Sequence, residues 1–150
     1  MAIASLAFLA GCGGSTEQKS VASSADIKAQ VGQVCSQATS EIDGLPDPLD
    51  TSTAAQVQRQ SAQIFKTASG KLNELATDVQ LPASYRSWID EFEQLPALNE
   101  QAAEAFSGDG IASGRAAKAS EAWYAQAEKA NGLAKKAGLT GCIFGQGDAG

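Results

Sequence analysis

The chain has 150 residues, a formal net charge of −6, three cysteines and no histidine, and 43% of it is hydrophobic against 19% charged. That length and balance describe one small globular domain and exclude a collagen-like or wholly disordered chain. Without histidine there is no Ser-His-Asp or Cys-His catalysis, no imidazole-ligated zinc and no His-ligated haem, and the acidic charge without a basic patch argues against nucleic acid or anionic headgroups as partners.

From Ala2 to Ala10 the chain is apolar apart from Ser5; Gly11-Cys12 follow, then the polar run Gly13-Gly14-Ser15-Thr16-Glu17-Gln18-Lys19-Ser20. About twenty apolar residues are needed to span a bilayer as a helix, so this shorter run reads as a secretory h-region ending in a small-residue cleavage site. Leu9-Ala10-Gly11-Cys12 resembles the lipobox of bacterial lipoproteins. The resemblance implies a signal peptide over 1–11, a diacylglyceryl group on the Cys12 thiol and Cys12 as the mature N-terminus. Met1 leads into the apolar run without the Lys or Arg that such leaders carry, so the true start is expected upstream of Met1. Residues 12–25 then form the lipidated cysteine and a small, polar tether, whose flexible part of about thirteen residues reaches roughly 20 Å. Two or more acyl chains hold stably where one holds marginally, so the chain is expected at the extracytoplasmic face of the cell membrane.

The folded body is expected over 26–144 as four helices. Ser23-Ser24-Ala25-Asp26 has capping-box spacing, and Ile27, Val31, Val34, Cys35, Ala38 and Ile42 recur at helical intervals. Gly44, placed for the left-handed conformation, then Leu45, Pro46 and Pro48 end this first helix. A second helix is expected from the capping-box spacing of Thr53 and Gln56, with Ile64, Phe65, Ala68, Leu72 and Leu75 on one face and Gly70 inside it at a cost of roughly 1 kcal/mol relative to alanine. The third takes Pro82 in its first turn and carries Tyr85, Trp88, Ile89, Phe92, Leu95 and Phe106; Pro96 removes a backbone bond near Phe92, so a kink or break is expected there. Ser107-Gly108-Asp109-Gly110 offers a glycine end to that helix and an aspartate cap to the fourth. The fourth has an alanine-rich face anchored by Trp123 and Leu133 and stops at Gly138-Leu139.

No period-two alternation or hairpin turn interrupts this pattern, so the fold class is all-α, and the simplest assembly is an antiparallel up-down four-helix bundle. A tail folding back through Leu139, Cys142, Ile143 and Phe144 brings Cys142 toward Cys35 in the first helix, leaving 145–150 as a frayed end. Outside the cytoplasm two such cysteines read as a disulfide, worth up to roughly 4–5 kcal/mol for a loop of about a hundred residues. The other reading is two buried free thiols acting as small apolar groups.

Little in the chain points to chemistry. Glu41, Asp43, Asp47 and Asp50 have oxygen ligands but lack calcium-loop spacing, and Asp90, Glu91 and Glu93 fall on the solvated face of the third helix. No catalytic residue, metal site or cofactor follows. Trp88, Trp123 and Tyr85, with Tyr124 beside them, are the candidates for lining a pocket between helices. The lipobox, the Ser-rich tether, Cys35 and the closing Ala137-Gly138-Leu139-Thr140-Gly141-Cys142 together resemble small helical lipoproteins of actinobacteria. That resemblance implies an extracytoplasmic four-helix domain with a Cys35–Cys142 bridge and brings no catalytic residues. Two functions are therefore in view. The first is a non-enzymatic lipoprotein that binds a protein or cell-envelope partner. The second is a carrier or sensor holding an apolar or sugar ligand between its helices. A packed interior favours the first, and a lined cavity near Trp88 or Trp123 favours the second.

Overall fold

The structure, a computed structural model, describes residues 23–145, so the expected signal peptide, the Cys12 lipidation site, most of the tether and the end of the tail lie outside the described residues. Ser23 opens the first helix, α1 (Ser24–Asp43), with a full capping box: its hydroxyl oxygen accepts the Asp26 N–H at 3.2 Å, and the Asp26 carboxylate accepts the Ser23 N–H at 3.2 Å. The helix buries Ile27, Val31, Cys35 and Ala38, one stripe at three- and four-residue intervals. Gly44 ends it at φ −81°, in the right-handed region and not the left-handed one expected from sequence, with its N–H on the Ser40 carbonyl.

α2 (Thr51–Asp78) starts earlier than its sequence suggests. Asp50 is the cap, its Oδ1 accepting the Thr53 N–H at 2.8 Å and the hydroxyls of Ser52 and Thr53, so Thr53 sits inside the first turn. A carboxylate is the stronger acceptor for the orphan N–H groups of a first turn, and it also suits the positive end of the helix dipole.

The third run of apolar residues forms two helices, α3 (Ala83–Phe92) and α4 (Leu95–Asp109). Pro82 precedes the first helical residue of α3, and its carbonyl accepts the N–H groups of Tyr85 and Arg86. Pro96 falls in the first turn of α4, where no intrahelical donor is needed. Asp109 does not cap the next helix as expected: α4 runs through it, Gly110 turns at φ +84°, and Ser113 caps α5 (Gly114–Lys136) by accepting the Ala116 N–H at 3.0 Å. Asp109 instead pairs with Arg115 at 3.3 Å on the surface.

α5 ends in a Schellman arrangement. Gly138 takes φ +73°, its N–H bonds the Lys135 carbonyl, and the Leu139 N–H reaches the Ala134 carbonyl at 2.8 Å. A 3-10 turn, Thr140–Cys142, follows and packs on α1, where the sulfurs of Cys35 and Cys142 lie 1.97 Å apart, at disulfide distance. The described residues are thus all-helical, with no strand among them. α2 packs most extensively along α4, α5 rests on α3 and α4, and α1 lies against α2 and the 3-10 turn. The main core gathers Val31, Phe65, Leu72, Trp88, Phe92 and Leu95, all at most 2% exposed. A smaller one, nearer the start of α2, holds Ala54, Ala55, Ala102, Ala105, Phe106 and Ala116.

Candidate functional site

The tail after Cys142 is fixed at three points. Cys142 is joined to α1, and Gly145 rests on the ring of Trp123. Between them, Asn131 on α5, 5% exposed, donates from Nδ2 to the Phe144 carbonyl at 2.7 Å and accepts the Phe144 N–H on Oδ1 at 3.0 Å. A Cβ built at Gly145 would fall 2.6 Å from Cη2 of Trp123, and the residue has φ +70°, so both space and backbone call for glycine.

This fixed tail forms one wall of a cleft of about 390 Å³, whose other walls come from α1, α2, α4 and α5. That volume is within the range of small-molecule sites. Its apolar surface is largely aromatic: Phe65 from α2, Trp123 and Tyr124 from α5, and Phe144 from the tail, with Ile42 and Ile143 beside them. Phe65 meets Phe144 edge-on at 5.3 Å and lies 6.4 Å from Trp123, while Tyr124, 61% exposed, stands edge-on to Trp123 at 5.3 Å.

Polar side chains are set among these rings. Thr39 on α1, Gln58 and Ser61 on α2, Asn99 on α4 and Ser120 on α5 all line the cleft, and none of these side chains makes a hydrogen bond with another described residue. Ser61 is 8% exposed and Asn99 only 2%. Nδ2 of Asn99 and Nε1 of Trp123 are both buried without a partner. Buried amides and hydroxyls are nearly always paired, because leaving one unpaired costs about 1–3 kcal/mol. Asp43, exposed at the end of α1, is the single charged side chain on the described wall.

Of the aromatic candidates from the sequence, Trp123 and Tyr124 stand on the wall. Trp88, fully buried, and Tyr85, 8% exposed, are packed in the main core, with Trp88 against Phe92 at 5.4 Å, and do not line the cleft. Sequence reasoning passed over the neutral polar residues. A signal existed for two of them: Asn99 lies four residues after Leu95 and three before Ala102, and Ser61 four before Phe65, so each is a polar residue on a stripe that is otherwise buried.

Two of the acidic candidates, Asp50 and Glu91, have structural roles. Asp50 caps α2, and the hydrogen bond from the Thr53 N–H, then those from the Ser52 and Thr53 hydroxyls, hold its carboxyl below its ordinary pKa. Glu91 ties α3 to α5. Its Oε2 accepts from Lys129 Nζ and Gln126 Nε2, both at 2.8 Å, and these bonds, Lys129's foremost, lower its pKa as well. Among the described residues no group of three or more His, Cys, Asp or Glu is placed to hold a metal, and no helix is long and apolar enough to cross a membrane. Comparison with family models, curated proteins and solved structures finds no match for this chain.

Proposed function

We propose that the chain is a lipid-anchored, non-enzymatic binding protein of the extracytoplasmic face, which holds a small apolar or sugar ligand in the cleft beside Trp123. The observation that carries this is a cleft of about 390 Å³ whose wall holds five neutral polar side chains without hydrogen-bond partners among the described residues, two of them, Ser61 and Asn99, buried. Such groups are costly to bury unpaired and gain their partners when a ligand fills the space.

The proposal takes the body as an antiparallel up-down bundle in which α3 and α4 together form one interrupted arm. The lipobox resemblance supplies the anchor on Cys12. The tether enters at the start of α1, whereas Thr39, Ile42 and Asp43 of the cleft lie fifteen or more residues further along that helix, roughly 22 Å away at 1.5 Å per residue. Anchoring at Cys12 therefore leaves the cleft open. Docking on a protein or cell-envelope partner is the second proposal, and Leu49, 90% exposed, and Ile111, 45% exposed, favour it. Single exposed apolar residues are ordinary on soluble domains, so the cleft weighs more.

Intact-mass measurement of membrane-extracted protein tests the anchor: acylation is expected on Cys12, and Cys12→Ala should release the protein from the membrane fraction. An unmodified mass would end the lipoprotein assignment. For the cleft, a thermal-shift screen across sugars and lipids should find a ligand that raises Tm with concentration. A flat screen, together with a partner recovered repeatedly by crosslinking, would move the assignment to partner docking.

A further inference from the structure

We infer that the ligand is a neutral sugar of one or two rings, an inference that presupposes the cleft to be a ligand site. Charge removes one class of ligand first. No Lys or Arg stands on the described wall, and Asp43 is its single ion, so a phosphate or carboxylate would enter without a counter-charge and against a like one. Polarity removes the next. An acyl chain or sterol needs a continuous apolar lining, yet Thr39, Gln58, Ser61, Asn99 and Ser120 are distributed over all four helices of the wall. Methylene groups against them would leave the buried Ser61 and Asn99 unpaired.

What fits is a compact, uncharged molecule with one apolar face and hydrogen-bonding groups around its edge. A pyranose ring has this form. Its C–H face stacks on an indole such as that of Trp123, and its hydroxyls both donate and accept. The amides of Gln58 and Asn99 and the hydroxyls of Thr39, Ser61 and Ser120 donate or accept, the Trp123 N–H is a further unpartnered donor, and the Asp43 carboxylate accepts at the rim. The volume of about 390 Å³ holds a ligand of that size and no extended oligomer.

The test is calorimetric titration of the oxidised full chain carrying Cys12→Ala, which removes the acylation site and with it the need for a membrane or detergent. The probes are glucose, galactose, maltose and cellobiose, with glucose 6-phosphate, palmitate and adenine as contrasts. Saturable binding of at least one neutral sugar is expected, with glucose 6-phosphate at least tenfold weaker than glucose. Asn99→Ala should weaken the sugar tenfold or more without lowering the Tm of the ligand-free protein, since it removes a buried amide that has no partner. Trp123→Phe, which keeps a ring and loses the N–H, should weaken binding severalfold. If Asn99→Ala fails to fold, Ser61→Ala on the facing helix is the variant that must show the loss. Sugar binding that survives these substitutions would overturn the inference, as would binding of palmitate or adenine with no response to any sugar. That last result would leave the cleft a ligand site of another class, whereas silence from every probe would remove the ligand site itself.

Discussion

In the main core Phe65, Trp88, Phe92 and Phe144 meet ring to ring at centroid distances of 5.3 to 5.5 Å, whereas near the start of α2 the buried layer is Ala54, Ala55, Ala102, Ala105 and Ala116, with Phe106 as its large side chain. The first region is filled by a few bulky groups, one of which arrives from the far end of the chain on the disulfide-tied tail. The second is filled by letting helix backbones approach, which accords with the extensive packing of α2 on α4. Rings bury 150–250 Å² each and hold their region through area, while alanines hold theirs through proximity. The cleft opens where the two fillings meet, since Phe65 of one and Ala102 of the other both stand on its wall. Bulk and closeness are thus divided between two regions, and the site occupies the seam.

Breaking the disulfide should have the largest effect and should fall unevenly on the two regions. Replacing Cys35 and Cys142 together by serine opens a loop with a sequence separation of 107, for which the chain-entropy relation gives up to about 5 kcal/mol. Unfolding by denaturant should show that loss. Hydrogen exchange should show the Phe144 amide, now bonded to Asn131, losing its protection while the amides of α2 and α4 around Ala55 and Ala105 keep theirs. Equal loss in both regions would mean that the tail holds the whole bundle and not the aromatic region alone.

Enlarging the alanine layer comes next. Ala116 is fully buried at the start of α5, so Ala116→Leu has to push helices apart or twist side chains off their rotamers, at about 1–3 kcal/mol. A thermal midpoint within error of the parent would show spare room there and would undo the claim that closeness fills this region.

Much of this division was legible in the residues and some was not. Helical periodicity placed Ile27, Val31 and Cys35 on one stripe, and Phe65, Ala68 and Leu72 on another, because burial on one face leaves a 3.6-residue period. Ser23 showed its capping box, whereas Asp50 was hidden behind Thr53, since two cap patterns overlap by three residues and only geometry tells which acceptor meets the N–H. Asp109 misled in the same way, with Ser113 the actual cap. Trp123 could be named as a pocket candidate but not separated from Trp88, because both lie at helical spacing among apolar residues. Their difference comes from the tail, which seats Gly145 on one indole and packs Phe144 into the core that encloses the other. The neutral polar lining had least signal of all. Its members are spread over four helices, and single residues from distant segments carry no local pattern.

The smallest expected effect concerns acid, and it sets one carboxylate from each region against the other. Asp50 caps α2 beside the alanine layer, and Glu91 binds Lys129 and Gln126 where α3 meets α5 beside the rings. Both have folded pKa values lowered by hydrogen bonds to the ionised form. A lowered folded pKa means that the unfolded chain takes up its proton first, so the stability each contributes is present above the ordinary carboxylate value and is lost as pH falls through the folded one. Asp50→Asn keeps an acceptor at the cap while removing the titration, and Glu91→Gln does the same at the α3–α5 junction. Each variant should flatten the fall of Tm below the ordinary carboxylate range. Acid should separately cost the parent amide protection at two places: at Thr53, where one turn frays, and along α3, where a helix loosens from its neighbour. If Asp50→Asn removed the acid loss along α3 as well, the two regions would be coupled through α2, and the division between them would hold for packing but not for electrostatics.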